Sequence, residues 1–91
     1  MKGTVDKAVL ASQKLTTNPD FIFIDAQFST PLRTHLVDAR RLQAVLLQVE
    51  KGKSDLAEHW ANEAGACVAA LEIACAAISE ELRKLKRQRR G

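Results

Sequence analysis

Residues 56–85 read LAEHWANEAGACVAALEIACAAISEELRKL and form the most strongly periodic stretch of the 91-residue chain. Apolar side chains recur there in steps of three and four residues, at Leu56, Trp60, Ala64, Cys67, Val68, Leu71, Cys75, Ile78, Leu82 and Leu85. This spacing is typical of an α-helix with one apolar stripe along its length. We therefore predict a long helix over residues 55–87, roughly 50 Å in length.

A second helix is predicted immediately before it, over residues 31–51. Thr30 is a favourable N-cap, and Pro31 suits the first helical position, where the missing N–H of proline costs nothing. Gly52 is the residue type that commonly ends a helix, which leaves only Gly52 and Lys53 as the connection. Because so short a connection joins antiparallel neighbours, the two segments are predicted to form a helical hairpin.

The N-terminal third of the chain predicts a short helix followed by one extended segment. Thr4 can cap a helix that runs to about Leu15, and Asn18-Pro19-Asp20 favours a turn. The next four residues, Phe21-Ile22-Phe23-Ile24, are aromatic or β-branched, which is typical of a strand. A lone strand over about 20–28 would pair with its copy in a second chain, or lie as an extended strap across the helices.

The composition fits one mainly α-helical domain over residues 1–91. Hydrophobic residues make up 46% of the chain and charged residues 27%, as in globular proteins, whereas aromatic residues make up only 4%. The core must therefore be built from aliphatic side chains and alanine. A chain of this length buries a smaller fraction of its surface than an average domain, so association with another chain is a natural source of further stability.

Part of the long helix is apolar around most of its circumference. Between Ala64 and Ile78 the only charged residue is Glu72. A helix of this kind is buried on more than one side, and the two shorter helices cannot cover it. We therefore expect a homo-oligomer, with a dimer favoured. The expected interface consists of small residues of the long helix and two phenylalanines of the extended segment: Ala61, Gly65, Ala69, Ala70, Ala76, Ala77, Phe21 and Phe23.

Positive charge is concentrated in a C-terminal tail, residues 83–91. Its basic residues are Arg83, Lys84, Lys86, Arg87, Arg89 and Arg90, and without these six the formal net charge of +3 becomes −3. Such a tail can neutralise nucleic-acid phosphates. Positive charge also complements a helix C-terminus and solubilises a protruding end, and no aromatic residue interleaves with the tail for base stacking. We expect this second role, with nucleic-acid binding as the alternative.

No catalytic, cofactor or metal site is expected. The metal-ligating or nucleophilic candidates are His35, His59, Cys67 and Cys75, and none of their spacings matches a zinc motif. Cys67 and Cys75 lie about 12 Å apart along one helix, too far for a disulfide. Thiols of this kind behave as small core residues in a reducing compartment, so a cytoplasmic location is expected. A glycine-rich phosphate loop is also absent.

These observations predict a small non-enzymatic protein-interaction or regulatory module. We expect it to self-associate through its long C-terminal helix and to bind a protein partner whose identity the sequence does not reveal. The apolar stretch of the long helix is alanine-rich and interrupted by Glu72, so no membrane association is expected. The alternative is a nucleic-acid-binding regulator that uses the basic tail.

Overall fold

A computed structural model describes residues 2–51 and 57–90 of the chain. Its elements are α1 (Lys2–Thr16), a 3₁₀ turn (Pro19–Phe23), α2 (Ala26–Lys51) and α3 (Ala57–Arg90). Within those two ranges no residue belongs to a strand, so the prediction of a mainly α-helical protein is confirmed. The molecule measures 57 × 17 × 16 Å, and its long dimension is close to the length of about 51 Å expected for the 34 residues of α3.

The three helices pack around one apolar core. Each helix contributes residues at steps of three and four, which places them on one side of the helix. The largest side chains that are completely buried are Val5 from α1, Leu32 and Leu46 from α2, and Leu71 and Ile78 from α3. The smaller residues Ala39, Ala64 and Ala74 are buried among them. The core is thus aliphatic, as the composition predicted.

Two side-chain contacts fix α1 against its neighbours. The Ser12 hydroxyl, fully buried, donates to the backbone oxygen of Ala8 at 2.8 Å and lies 3.3 Å from the Cys75 sulfur on α3. The Gln43 side-chain amide on α2 donates to a carboxylate oxygen of Asp6 at 2.7 Å. These contacts satisfy polar groups that would otherwise be costly at the helix interfaces.

The prediction of an extended segment over about residues 20–28, as a paired strand or as a strap, is wrong, because Pro19–Phe23 forms a 3₁₀ turn and α2 begins at Ala26. The side chain of Asn18 accepts a hydrogen bond from the backbone N–H of Asp20, which starts a 3₁₀ turn. The turn continues with the N–H of Phe21 donating to the oxygen of Asn18 at 2.9 Å, and the N–H of Ile24 donating to the oxygen of Phe21 at 3.1 Å. The backbone donors are therefore satisfied locally, without a partner strand.

The period of three in this turn decides which side chains are buried. Phe21 and Ile24 are 4% and 7% exposed and join the core. Ile22 and Phe23 between them are 79% and 61% exposed. A strand would instead have placed Phe21 and Phe23 on one face. Residues 19–24 thus cover one end of the bundle with two anchoring side chains.

The start of α2 also differs from the prediction. The helix begins at Ala26, five residues before Pro31. Asp25 acts as its N-cap, because a carboxylate oxygen of Asp25 accepts from the N–H of Gln27 at 3.0 Å. Pro31 therefore lies inside the helix, where its missing N–H removes one bond near the N-terminus, and Thr30 is not the cap.

The remaining predicted boundaries are close to the observed ones. Helix α1 begins earlier and ends later than predicted, since Thr4 lies within it and it runs to Thr16. Helix α3 extends to Arg90 instead of residue 87. The predicted connection at Gly52 and the start of the last helix at residue 55 lie outside the described residues.

Candidate interaction surface

Helix α3 presents one side to the core and the opposite side to solvent. Six residues on the solvent side carry no charge, and we call them the outer face of α3. They are Ala66, Ala69, Ala70, Ile73, Ala76 and Ala77. Ala70 and Ala77 are half-buried, and the other four are exposed. The outer face therefore extends over about three helical turns without a charged or polar side chain.

Ile73 is the centre of this outer face and the residue that the sequence analysis missed. Its side chain is 73% exposed, although isoleucine is among the residue types most often buried. The residues three and four positions before and after Ile73 are all alanines, so its side chain extends beyond the short side chains around it. Burying the rest of this side chain against a partner would contribute about 1–2 kcal/mol per copy. Ile73 could have been found by looking for the large residue opposite the predicted core stripe.

The structure separates the predicted interface residues into three groups. Those on α3 remain accessible: Ala61, Gly65, Ala69 and Ala76 are exposed, and Ala70 and Ala77 are half-buried. Phe21 is buried in the chain's own core and is therefore removed from the candidate interface. Phe23 is exposed beside Ile22, on the 3₁₀ turn and not on α3.

A shallow groove lies beside the outer face, between the first turn of α1 and α3. It has a volume of about 420 Å³ and is lined by Thr4, Ala61, Ala64, Gly65, Val68, Ala69 and Glu72. A methyl group added at Gly65 would meet no atom within 4 Å. Glycine inside a helix costs about 1 kcal/mol relative to alanine. Among the described residues, no atom lies close enough to Gly65 to require a glycine there.

A second groove of about 430 Å³ lies between α2 and α3. Its apolar lining includes Leu42, Val45 and Trp60, and its charged or titratable lining includes His35, Asp38, Arg41 and Glu63. Burial raises the pKa of the Cys67 thiol in this groove, and the negative charges of Asp38 and Glu63 raise it further. The thiol is therefore held in its protonated form, which is a poor nucleophile and a poor metal ligand.

The described part of the chain contains no group of three histidine, cysteine or acidic residues that could hold a metal ion. Both cysteines are free. The expectation that the protein is not an enzyme and uses no cofactor stays a prediction.

The basic tail continues α3 and is largely exposed. Arg83 and Lys84 each lie 2.9 Å from a glutamate one turn earlier, Glu80 and Glu81 respectively, and Arg87 lies 3.7 Å from Glu80. Exposed pairs of this kind contribute little to stability, but they place negative charge next to three of the predicted polyanion contacts. Lys86 is exposed, and the side chains of Arg89 and Arg90 lie outside the described residues.

Over Glu58–Gln88, α3 is long and apolar enough to cross a membrane, judged by length and composition alone. Only 28% of its most apolar window is buried in the protein. Core helices of soluble proteins can be equally long and apolar, but they are mostly buried, whereas α3 exposes much of its apolar surface.

No protein-family model, curated protein or solved structure matches the chain.

Proposed function

We propose that the protein is a small non-enzymatic interaction or regulatory module that self-associates through α3 and binds a protein partner. The observation that carries this proposal is the outer face of α3, an exposed and uncharged surface with Ile73 at its centre. Contiguous apolar surface of this kind is typical of protein–protein interfaces. The proposal includes the antiparallel packing of α2 and α3 as a hairpin.

The position of the outer face relative to the core supports self-association as well. The outer face lies on the side of α3 away from the core, so covering it with a second copy would bury apolar area that the core leaves exposed and would add stability. The two free cysteines support a reducing, cytoplasmic location as part of the same proposal.

The proposal is tested by measuring molar mass with light scattering across the micromolar range. We expect the wild type to exceed the chain mass of 10.0 kDa, with a dimer as the main species. Ile73→Asp should reduce it to the monomer while circular dichroism still shows a helical protein. Val37→Asp is the matched control, since Val37 is 49% exposed on α2 and should leave the assembly intact. A wild type that stays monomeric would overturn self-association.

Partner binding is proposed for surfaces that remain exposed after α3 is covered, in particular Ile22 and Phe23 on the 3₁₀ turn. The test is capture of proteins from the source cell, with the wild type and a Phe23→Ser variant as bait. Species retained by the wild type and lost with Phe23→Ser support the proposal. An identical set for both baits contradicts this placement.

The second candidate function is nucleic-acid binding, which is favoured by the exposure of Arg83, Lys84, Lys86 and Arg87 along one end of α3. Binding to random-sequence DNA should then weaken with salt, with a log–log slope of about 0.9 per neutralised phosphate. We expect only weak binding at 150 mM salt, because Glu80 and Glu81 partly neutralise the tail. Submicromolar binding under those conditions, lost on deletion of residues 86–91, would make this the leading function.

A further inference from the structure

We propose that the partner on the outer face of α3 is a second copy of the chain packed antiparallel, with Ile73 close to the twofold axis. This inference rests on the proposed self-association and adds the orientation of the two helices. It follows from how charge and shape are distributed on either side of Ile73.

Charge is divided between the two ends of the exposed side of α3. Before the outer face lie the exposed acidic residues Glu58 and Glu63. After it the exposed residues Arg83, Lys84, Lys86 and Arg87 outnumber the half-buried Glu80 and Glu81, so this end keeps a positive charge. In a parallel pair each acidic end would meet the acidic end of the other copy. In an antiparallel pair each acidic end meets a basic end, so only that orientation is electrostatically complementary.

The spacing of these charges matches an antiparallel pair centred on Ile73. Glu63 lies about as many residues before Ile73 as Lys84 lies after it. Glu58 and Arg87 are likewise at about equal sequence distances before and after Ile73. At 3.6 residues per turn, Glu63 and Lys84 are separated by about six whole turns, and Glu58 and Arg87 by about eight. Each pair therefore lies on one edge of the outer face, one pair on each edge. The twofold axis generates every ion pair twice.

The alanines of the outer face follow the same symmetry. Ala70 and Ala77 lie on the edge that carries Glu63, and Ala69 and Ala76 lie on the other edge. In the antiparallel arrangement Ala70 meets Ala77 and Ala69 meets Ala76, so small residues face small residues on both sides of Ile73. Helices with such contacts approach closely, which allows Ile73 of each copy to pack against the other helix.

Glu72, also exposed, lies beside the outer face near the axis, so the twofold places Glu72 of both copies on the same edge. Both carboxylates point to solvent there, which screens their repulsion. Lys84 and Arg87 are themselves exposed, although they pair with the less exposed Glu81 and Glu80, and such surface pairs are weak, so these cations can also reach a second copy.

Charge reversal of the full-length chain tests the orientation. Glu63→Lys or Lys84→Glu should each weaken the dimer by about 5–30-fold at 50 mM salt, because each change turns two attractive pairs into repulsive ones. The double variant should recover most of this loss, and the effects should shrink at 1 M salt. Lys14→Glu, on the exposed side of α1, is the control for net charge and should change the dissociation constant less than threefold.

Disulfide trapping gives an independent readout of the same geometry. In a chain with Cys67 and Cys75 replaced by alanine, Ala70→Cys and Ala77→Cys proteins are mixed and oxidised. The antiparallel arrangement predicts mixed 70–77 dimers in excess over 70–70 and 77–77 dimers. A parallel arrangement predicts the two homodimers.

The outcomes separate this inference from the function on which it rests. If the wild type is a dimer but the Ala70→Cys and Ala77→Cys variants give 70–70 and 77–77 disulfides, the antiparallel orientation is overturned and self-association stands. Failure of the charge-reversed double variant to recover has the same meaning. A monomeric wild type overturns both. Binding of a monomeric wild type to phosphatidylcholine vesicles, lost in Ile73→Asp, would assign the outer face to a lipid surface instead.

Discussion

Alanine substitutions at Phe21 and Phe23 should have very different effects, although the two residues are identical in type and two positions apart. Phe21 lies inside the core and Phe23 is mostly exposed, since the 3₁₀ turn buries every third residue. A strand or an extended strap would have made the two positions more alike. The pair therefore tests the local structure of residues 19–24 with an internal control.

The expected magnitudes follow from burial. Phe21→Ala removes a nearly fully buried ring and should cost about 3–5 kcal/mol. The guanidinium of Arg33 lies 5.3 Å from the centre of that ring, a contact that contributes about 0.5–1 kcal/mol at an exposed site. Phe23 buries less than half of its surface, so Phe23→Ala should cost about 1 kcal/mol or less.

Thermal and urea unfolding followed by circular dichroism provide the measurement. A loss of 3 kcal/mol corresponds to a decrease of about 12–24 °C in Tm for a domain of this length, against a few degrees for Phe23→Ala. Because association makes Tm depend on concentration, all variants are compared at one protein concentration. Equal costs at the two positions, or a larger cost at Phe23, would refute the assignment of a 3₁₀ turn.

Three further predictions concern single positions. Asp25→Ala should lower the unfolding free energy by about 1 kcal/mol, because Asp25 caps α2, and Thr30→Ala should lower it much less. A larger loss for Thr30→Ala than for Asp25→Ala would show that Thr30 is the N-cap, as the sequence predicted. At pH 8, Cys67 of the folded protein should react with iodoacetamide more slowly than Cys67 of the urea-unfolded chain, because its raised pKa lowers the thiolate fraction. The rate should increase as the pH rises. Equal rates in the folded and unfolded states would contradict this. In an Ile73→Asp background, Gly65→Ala should raise the unfolding free energy by about 0.5–1 kcal/mol, and a loss of stability would reveal an intramolecular contact at Gly65.

The sequence predicted α3 well because its apolar residues keep steps of three and four over many turns. A pattern of that length leaves little choice of structure, and Leu71 and Ile78 are completely buried as it requires. The same kind of pattern in α2 explains why a mainly α-helical protein could be predicted from the sequence.

The segment around Phe21 could not be predicted by the same reasoning. Four consecutive apolar residues fit a strand, a buried helix or a 3₁₀ turn equally well, because a run in which every residue is apolar shows no periodicity. The deciding signals were polar: Asn18 followed by Pro19 begins the 3₁₀ turn, and Asp25 begins α2. Thr30 followed by Pro31 resembles a helix start just as closely, and the choice between two good caps depends on tertiary packing.

The candidate surface could be predicted in part. A helix that is apolar around most of its circumference is expected to bury a second face against another surface. The structure adds that Ile73 stands alone among alanines on that side. It also shows where the nearby charges lie. A lone α3 in a bilayer would have to bury Glu63 and Glu72 in hydrocarbon at a cost of several kcal/mol, whereas an antiparallel copy leaves both in water at the edges of the outer face. Glu63, which disfavours lipid, also favours a partner with a cation at the matching position, and an antiparallel copy of this chain carries Lys84 there.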